Sequence, residues 1–459
     1  MAKGVVIGGV ASGVGKTTIT AGLAAAMRSR GLRVQPFKAG PDYLDPTHLG
    51  AFAGRACRNL DTWMLPAAHV RELFARAMHG VNDADVALVE GVMGLHDGRS
   101  GTDGAGSSAS LARLLRLPVV LVVDASAMAR SAAAIVLGYQ LLDPELRFAG
   151  VILNRVAGAG HASMCTSAIE EATGLPVFGW LPRDAEIALP ERHLGLTPTF
   201  EGAPDADLEA RLIQLVESHI DVGALLARMG EVDTTAPARL FPSTAVAPRV
   251  RVAVARDRAF HFYYQDSLDL LEAWGAELVP FSPRADSGLP PRIDAVLLGG
   301  GFPELEAEAL AANLEMRASI RGAAASGVPI YGECGGLMYL GERLTDFEGR
   351  AHEMLGLVPA RSVMTTDRLT LGYREVASLG TPFLAAGELV RGHEFHWSTL
   401  EGPVDPERAA YRVLGEEPRL EGFCSGPVTA SYVHLHLGAR ADLAPNFVEH
   451  VARARQART

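Results

Sequence analysis

Two residues, Lys16 and Cys334, mark the places where this sequence can do chemistry. Lys16 lies in Val5-Val6-Ile7-Gly8-Gly9-Val10-Ala11-Ser12-Gly13-Val14-Gly15-Lys16-Thr17-Thr18. An apolar run, a Gly-rich turn and a helix-forming run follow one another in the order of a phosphate-binding loop. Gly13, Val14, Gly15, Lys16, Thr17 and Thr18 are the expected nucleotide-binding residues. Backbone N–H groups and the helix N-terminus would face phosphate oxygens, Lys16 would meet the β/γ-phosphates, and Thr17 could offer its hydroxyl to Mg²⁺. The common spacing puts glycine where Val10 stands; here the glycine is Gly9. The plain alternative is a Gly-rich turn with a solvated lysine.

Cys334 lies in Val328-Pro329-Ile330-Tyr331-Gly332-Glu333-Cys334-Gly335-Gly336. A strand that runs through such a turn into a helix exposes a nucleophile, and its small neighbours leave room for substrate. The helix N-terminus is expected to lower the thiol pKa. Backbone N–H groups of the Gly299–Gly301 run, with Gly300, Gly301 and Gly335 as the chosen donors, could form an oxyanion hole. The base is sought in Ser431-Tyr432-Val433-His434-Leu435-His436. Strand alternation would put His434 and His436 on one face, and either could pair with the thiol. His393-Glu394-Phe395-His396 lacks the spacing of a metalloprotease helix and reads as core, interface or cleft lining.

Three further segments lie where strands would end. Lys38-Ala39-Gly40-Pro41-Asp42-Tyr43-Leu44-Asp45-Pro46 reads as a loop. Its two carboxylates beside Lys38 could hold Mg²⁺ and organise a carboxylate substrate; a helix cap is the alternative for Asp42. Glu90 closes the apolar run Asp85–Glu90 and suits a metal–phosphate site, and Asp97 follows in a loop that could meet substrate. Asn154 ends the run 148–154; its amide could bond a purine edge or simply shape a turn.

These residues need elements to hold them. Apolar runs at 5–7, 33–37, 85–90, 117–124, 148–154 and 177–181, the last before Pro182-Arg183-Asp184, alternate with helical runs. That rhythm predicts an α/β fold with a doubly wound parallel sheet. The rhythm resumes at 251–255 after a Pro-, Thr- and Ala-rich stretch. The expected organisation is a domain over 1–235, a linker over 236–249 and a second domain over 250–459.

The chain has 459 residues, too many for one core, and 48% hydrophobic residues against 21% charged. A net charge of −11 argues against a nucleic-acid surface. No apolar run reaches the ~20 residues of a membrane span, no secretory signal is read at the start, and the four cysteines form no CxxC pair. The expected setting is cytoplasmic.

The loop motifs together resemble the cobyrinate or hydrogenobyrinate a,c-diamide synthases of the cobalamin pathway. The residues that carry the resemblance are Val10 to Thr17, Lys38 to Pro46, Glu90 to Gly98, Tyr331 to Gly336 and Tyr432 to His436. The longer phosphate loop is similar to that of dethiobiotin-synthetase-like nucleotide binders. The resemblance implies two domains, each a mainly parallel sheet flanked by helices: a P-loop ATP domain and a class I glutamine amidotransferase domain. It implies that Cys334 attacks glutamine to release ammonia. It implies that ATP, with Mg²⁺ at Thr17, Asp42 and Glu90, phosphorylates the acetate carboxylates a and c. Tyr43, Leu44, Asp45 and Asp97 would contact the corrin tetrapyrrole acid. One departure stands out: the base strand reads His434-Leu435-His436 where His-Pro-Glu is typical, so the third carboxylate is missing. The same chemistry on another tetrapyrrole acid, such as nickel sirohydrochlorin, is a second reading. A nucleotide-switch partitioning protein is a third. A homodimer is left open.

Overall fold

The computed structural model describes residues 1–79, 83–183, 191–192, 195–196, 206–415 and 417–458. Asp184, in the turn expected after residue 181, lies outside them. The chain divides into two compact units, Met1–Pro237 and Ala238–Thr459.

The first unit is built on strands β1 (Lys3–Gly9), β2 (Val34–Ala39), β3 (Arg58–Leu60), β4 (Val86–Glu90), β5 (Val119–Asp124), β6 (Phe148–Val156) and β7 (Val177–Pro182). They run parallel in the order β3-β2-β4-β1-β5-β6-β7. Such a sheet is covered on both faces, which is why β4 and β5 are continuous apolar runs rather than alternating ones. Val5, Ile7, Leu88, Val120, Val122 and Ile152 share one buried cluster with Ile19, Leu23 and Met27 of helix α1 (Lys16–Ser29). Ile7 lies opposite Glu90 on one side and Val120 on the other. The order places the ends of β2, β4 and β1 side by side, so their loops share one edge, where ligands of open α/β sheets bind.

Helix α1 begins at Lys16. Gly15 is its N-cap in the left-handed region, φ 90°. That turn brings Lys16 and Thr17 into the first helical turn, whose N–H groups have no partner within the helix.

In the second unit five parallel strands run in the order 276–281, 250–255, 295–298, 330–333, 428–431, and 423–425 joins antiparallel. A five-stranded sheet carries 370–378, 389–396 and 434–435, paired antiparallel. The expected linker is not free along its length: Leu240 and Phe241 are buried, and the Trp274 indole N–H donates to the Leu240 carbonyl at 2.9 Å. These contacts dock it at Leu240 and Phe241.

Removing the Ile7 side chain leaves a cavity between α1 and the sheet. Ile7→Ala is expected to destabilise the first unit by about 2–5 kcal/mol. Hydrogen exchange of the β1 and β4 amides, which reports that unit alone, measures it.

Candidate active sites

The first site is assembled from the ends of β1, β2 and β4. Gly13 and Gly15 both have positive φ, 72° and 90°. A side chain at Gly15 would also collide with Asn154, whose Nδ2 would lie 2.2 Å from the added carbon. That Asn154 amide donates to the Val14 carbonyl at 2.8 Å. Asn154 therefore braces the phosphate loop. Lys16 folds onto carbonyls, donating to Met93 at 2.6 Å and Ala11 at 3.1 Å. Its pKa falls to about 8, mainly through burial and also through the charge of Lys38.

Lys38 is the hub of this site. It is 2% exposed and sits between three carboxylates: Glu90 at 2.7 Å, Asp45 in direct hydrogen-bond contact, and Asp42 at 4.0 Å. Burial by itself would discharge this lysine; Asp45, Glu90 and Asp42 outweigh it and hold the ammonium charged. Glu90 is fully buried. Its Oε1 accepts from Lys38 and, at 2.8 Å, from the Thr17 hydroxyl. Its Oε2 has no hydrogen-bond partner among the described residues. Burial pushes the Glu90 carboxyl up to about 7 against the pull of Lys38.

An orphaned buried carboxylate oxygen beside a Thr hydroxyl fits a small hard cation. No group of three or more His, Cys, Asp or Glu among the described residues forms a metal cage. Mg²⁺ asks for none, since it takes one or two carboxylates and fills its sphere with phosphate oxygens and water.

The expected substrate residues divide. Asp42 Oδ1 accepts from the Leu44 N–H at 2.8 Å, ahead of helix α2 (Leu44–Ala53), whose N-cap is Tyr43, and Asp42 remains near Lys38. Tyr43 and Leu44 are buried and shape the loop from beneath. Asp97 Oδ2 accepts from the Gly94 N–H at 2.9 Å. The Leu95 N–H donates to the Gly9 carbonyl at 2.8 Å, which ties that loop to the phosphate loop.

The second site lies at the ends of the adjacent strands 295–298, 330–333 and 428–431. Cys334 has φ 50° and ψ −102°, a strained conformation for a residue with a side chain. It is the N-cap of the 335–340 helix, and its N–H donates to the Ser431 carbonyl at 2.7 Å. Contrary to expectation the thiol pKa is raised. Burial dominates, the carboxylate of Glu304 adds to it, and the Gly335 N–H only partly opposes them. A thiol 5% exposed has lost the water that would stabilise its anion. A carbon added at Gly335 would lie 3.2 Å from the Gly301 nitrogen, so these two backbone groups are neighbours. Gly299 is not available as a donor: its N–H is given to the Tyr263 hydroxyl at 2.8 Å.

The two histidines part company. The Val428–Ser431 strand ends in the parallel sheet, and only His434 and Leu435 pair with the antiparallel strand at Gly392 and His393. His436 follows in extended backbone, φ −91° and ψ 119°, and caps the turn over Leu437–Ala439. His434 is buried, with Cε1 against Gly300 and Nδ1 3.6 Å from Glu333 Oε2. His436 accepts the Gly438 N–H at 2.9 Å and lies against the Tyr264 ring.

Cleft lining is one reading of the His393 to His396 stretch; Arg374, Arg419 and Glu421 escaped the sequence reading. The Phe395 carbonyl is 3.8 Å from Cys334 Sγ, so the His393 to His396 strand lines the thiol. Glu394, fully buried, receives Arg374 and Arg419, each at 2.5 Å. Glu421 accepts the Ser431 hydroxyl at 2.6 Å and the Tyr432 N–H at 2.7 Å, anchoring the strand that leads to His434.

These arrangements define a class: a nucleotide-binding unit and a cysteine amidotransferase unit on one chain. Residues 5–196 match the CobQ/CobB/MinD/ParA nucleotide binding domain, and residues 251–442 match the CobB/CobQ-like glutamine amidotransferase domain. The chain belongs to the cobyrinate a,c-diamide synthase family. It is 47% identical to the cobyrinate a,c-diamide synthase of Dehalococcoides mccartyi (strain CBDB1), over 97% of each chain. It is 45% identical to that of Syntrophotalea carbinolica over 97% of each, and 42% identical to that of Priestia megaterium over 99% of this chain and 98% of the relative. No described helix is long and apolar enough to cross a membrane.

The Glu421 carboxyl is raised from 4.5 to about 7 by burial and by the charge of Glu394. The folded state thus keeps a proton that the unfolded chain has already lost. Stability of the second unit should fall as pH rises from about 4.5 through about 7. Glu421→Gln, which mimics the protonated acid, should flatten that slope; urea midpoints of wild type and variant across this window measure it.

Proposed function

We propose that the chain uses ATP and glutamine to amidate the a- and c-acetate carboxylates of cobyrinate or hydrogenobyrinate through acyl phosphates. What carries this reading is the buried Lys38–Glu90–Thr17 cluster at a phosphate loop, in a chain that also bears the Cys334 turn. The names of the relatives supply the substrate and the positions amidated.

In the first site a substrate carboxylate oxygen attacks the γ-phosphorus and ADP leaves. A carboxylate is a poor electrophile, and the acyl phosphate supplies the leaving group it lacks. Lys16 would exchange the Met93 and Ala11 carbonyls for phosphate oxygens, which are stronger acceptors. Thr17, Glu90 and Asp42 would hold Mg²⁺, which neutralises charge on the phosphates. Lys38 and Asp45 would orient the acid group, with Asp97 at the rim.

In the second site His434 takes the thiol proton as sulfur attacks the glutamine amide carbon. Backbone N–H groups of Gly300, Gly301 and Gly335 would receive the developing oxyanion. The proton passes to the departing ammonia, and water then cleaves the thioester to glutamate. Ammonia attacks the acyl carbon and phosphate leaves. Because ammonium is unreactive, release of ammonia within the protein preserves the nucleophile. A nucleotide switch would have no use for this second site.

The test is mass spectrometry of products from a panel of tetrapyrrole acids with ATP, Mg²⁺ and glutamine. Two added amides on a corrin acid are expected; amidation confined to another tetrapyrrole overturns the substrate. Cys334→Ala should lower glutamine-dependent synthesis roughly 10³-fold or more while synthesis from ammonia persists. Glu90→Gln should lower synthesis from either nitrogen source by roughly 10²-fold or more and leave glutaminase activity in place.

A further inference from the structure

The base strand of this chain has no carboxylate two residues after His434, yet a histidine that accepts a thiol proton in a buried site becomes a charge that needs a partner. We propose that Glu333, the residue before the nucleophile, is the positioning carboxylate for His434. The inference rests on the reading of Cys334 and His434 as nucleophile and base.

Three contacts carry it. Glu333 Oε2 lies 3.6 Å from His434 Nδ1. Its other oxygen is pinned, accepting the Tyr331 hydroxyl at 2.7 Å and the Leu435 N–H at 3.1 Å. The carboxylate therefore links the strand that carries the thiol to the segment that carries the imidazole, with its free oxygen turned to the ring. An Nδ1–H facing a carboxylate leaves the Nε2 lone pair to accept the proton, and the negative charge stabilises the imidazolium that results. The contact is long for a hydrogen bond, as such contacts often are before substrate binds.

The neighbouring acids and histidines have other duties. Glu421 is taken by Ser431 and Tyr432, and Glu394 by Arg374 and Arg419. His393 lies opposite His434 in the ladder, but an imidazole is neutral or cationic and offers no negative charge. His436 receives the Gly438 N–H on Nδ1.

The experiment is steady-state glutaminase kinetics on the full chain with Glu333→Gln, Glu333→Asp and Cys334→Ala, beside ammonia-driven synthesis. Glu333→Gln keeps the shape and one acceptor oxygen for Tyr331 and Leu435 but loses the charge. Its kcat should fall about 10²–10⁴-fold, as when the carboxylate that orients a catalytic histidine is made neutral. Its KM for glutamine and its ammonia-driven synthesis should stay within about twofold. Glu333→Asp should recover part of the kcat. A Glu333→Gln kcat within about twofold of wild type overturns the proposal, as does a change confined to KM. If Glu333→Gln misfolds, ammonia-driven synthesis falls with it; Glu333→Asp then decides, and an Asp variant whose glutaminase kcat falls no more than its ammonia-driven rate overturns the proposal. Glutaminase activity surviving in Cys334→Ala would instead overturn the reading of the nucleophile.

Discussion

Charge withdrawn from water has to be matched within hydrogen-bonding distance, and both sites of this chain obey that constraint at the end of a parallel sheet. Lys38 is almost wholly buried and remains an ammonium only because Glu90, Asp45 and Asp42 converge on it. Removing one partner of such a group leaves an uncompensated charge, which costs several kcal/mol. The cluster thus couples β2 to β4 through the Lys38 nitrogen, and β4 to Thr17 of the phosphate loop through Glu90 Oε1. It also leaves one Glu90 oxygen without a hydrogen-bond partner among the described residues.

The second unit meets the same constraint differently. Three acids near its thiol have separate tasks: Glu394 balances two arginines, Glu421 holds backbone and hydroxyl groups, and Glu333 faces an imidazole. The thiol at their centre is surrounded by acids and excluded from water, so at rest it keeps its proton. Such a cysteine is protected from adventitious chemistry and depends on a base to become a nucleophile. A strained backbone at Cys334 presents that thiol, and the Ser431 carbonyl holds the turn in place.

Much of the chemistry was legible in short stretches of sequence. The phosphate loop, the Asp42 to Asp45 loop, Glu90 and the Cys334 turn are local: spacing along the chain is close to spacing in space. Local reasoning did not reach long-range partners or burial. Asn154 ends a strand as foreseen, and its amide reaches the Val14 carbonyl, 140 residues away in the chain. His434 and His436 fit a strand pattern, and the chain leaves one sheet for another just before them, between Ser431 and His434. A helix N-terminus beside Cys334 suggested a lowered thiol pKa, and burial, which no pattern of neighbours reveals, reverses the sign.

The sequence by itself determined the α/β class, the two phosphate- and thiol-bearing turns and the family. These follow from apolar periodicity and from residue types that few other structures would require at such spacing. Only the tertiary structure decided which histidine stands beside the nucleophile's strand, which carboxylate faces it, and which ionisable groups are dry. Those depend on pairing between segments far apart in the chain: Glu333 with His434, Lys38 with Glu90, Glu394 with Arg419. A side chain's partners and its distance from water are properties of the folded surface, not of its neighbours in sequence.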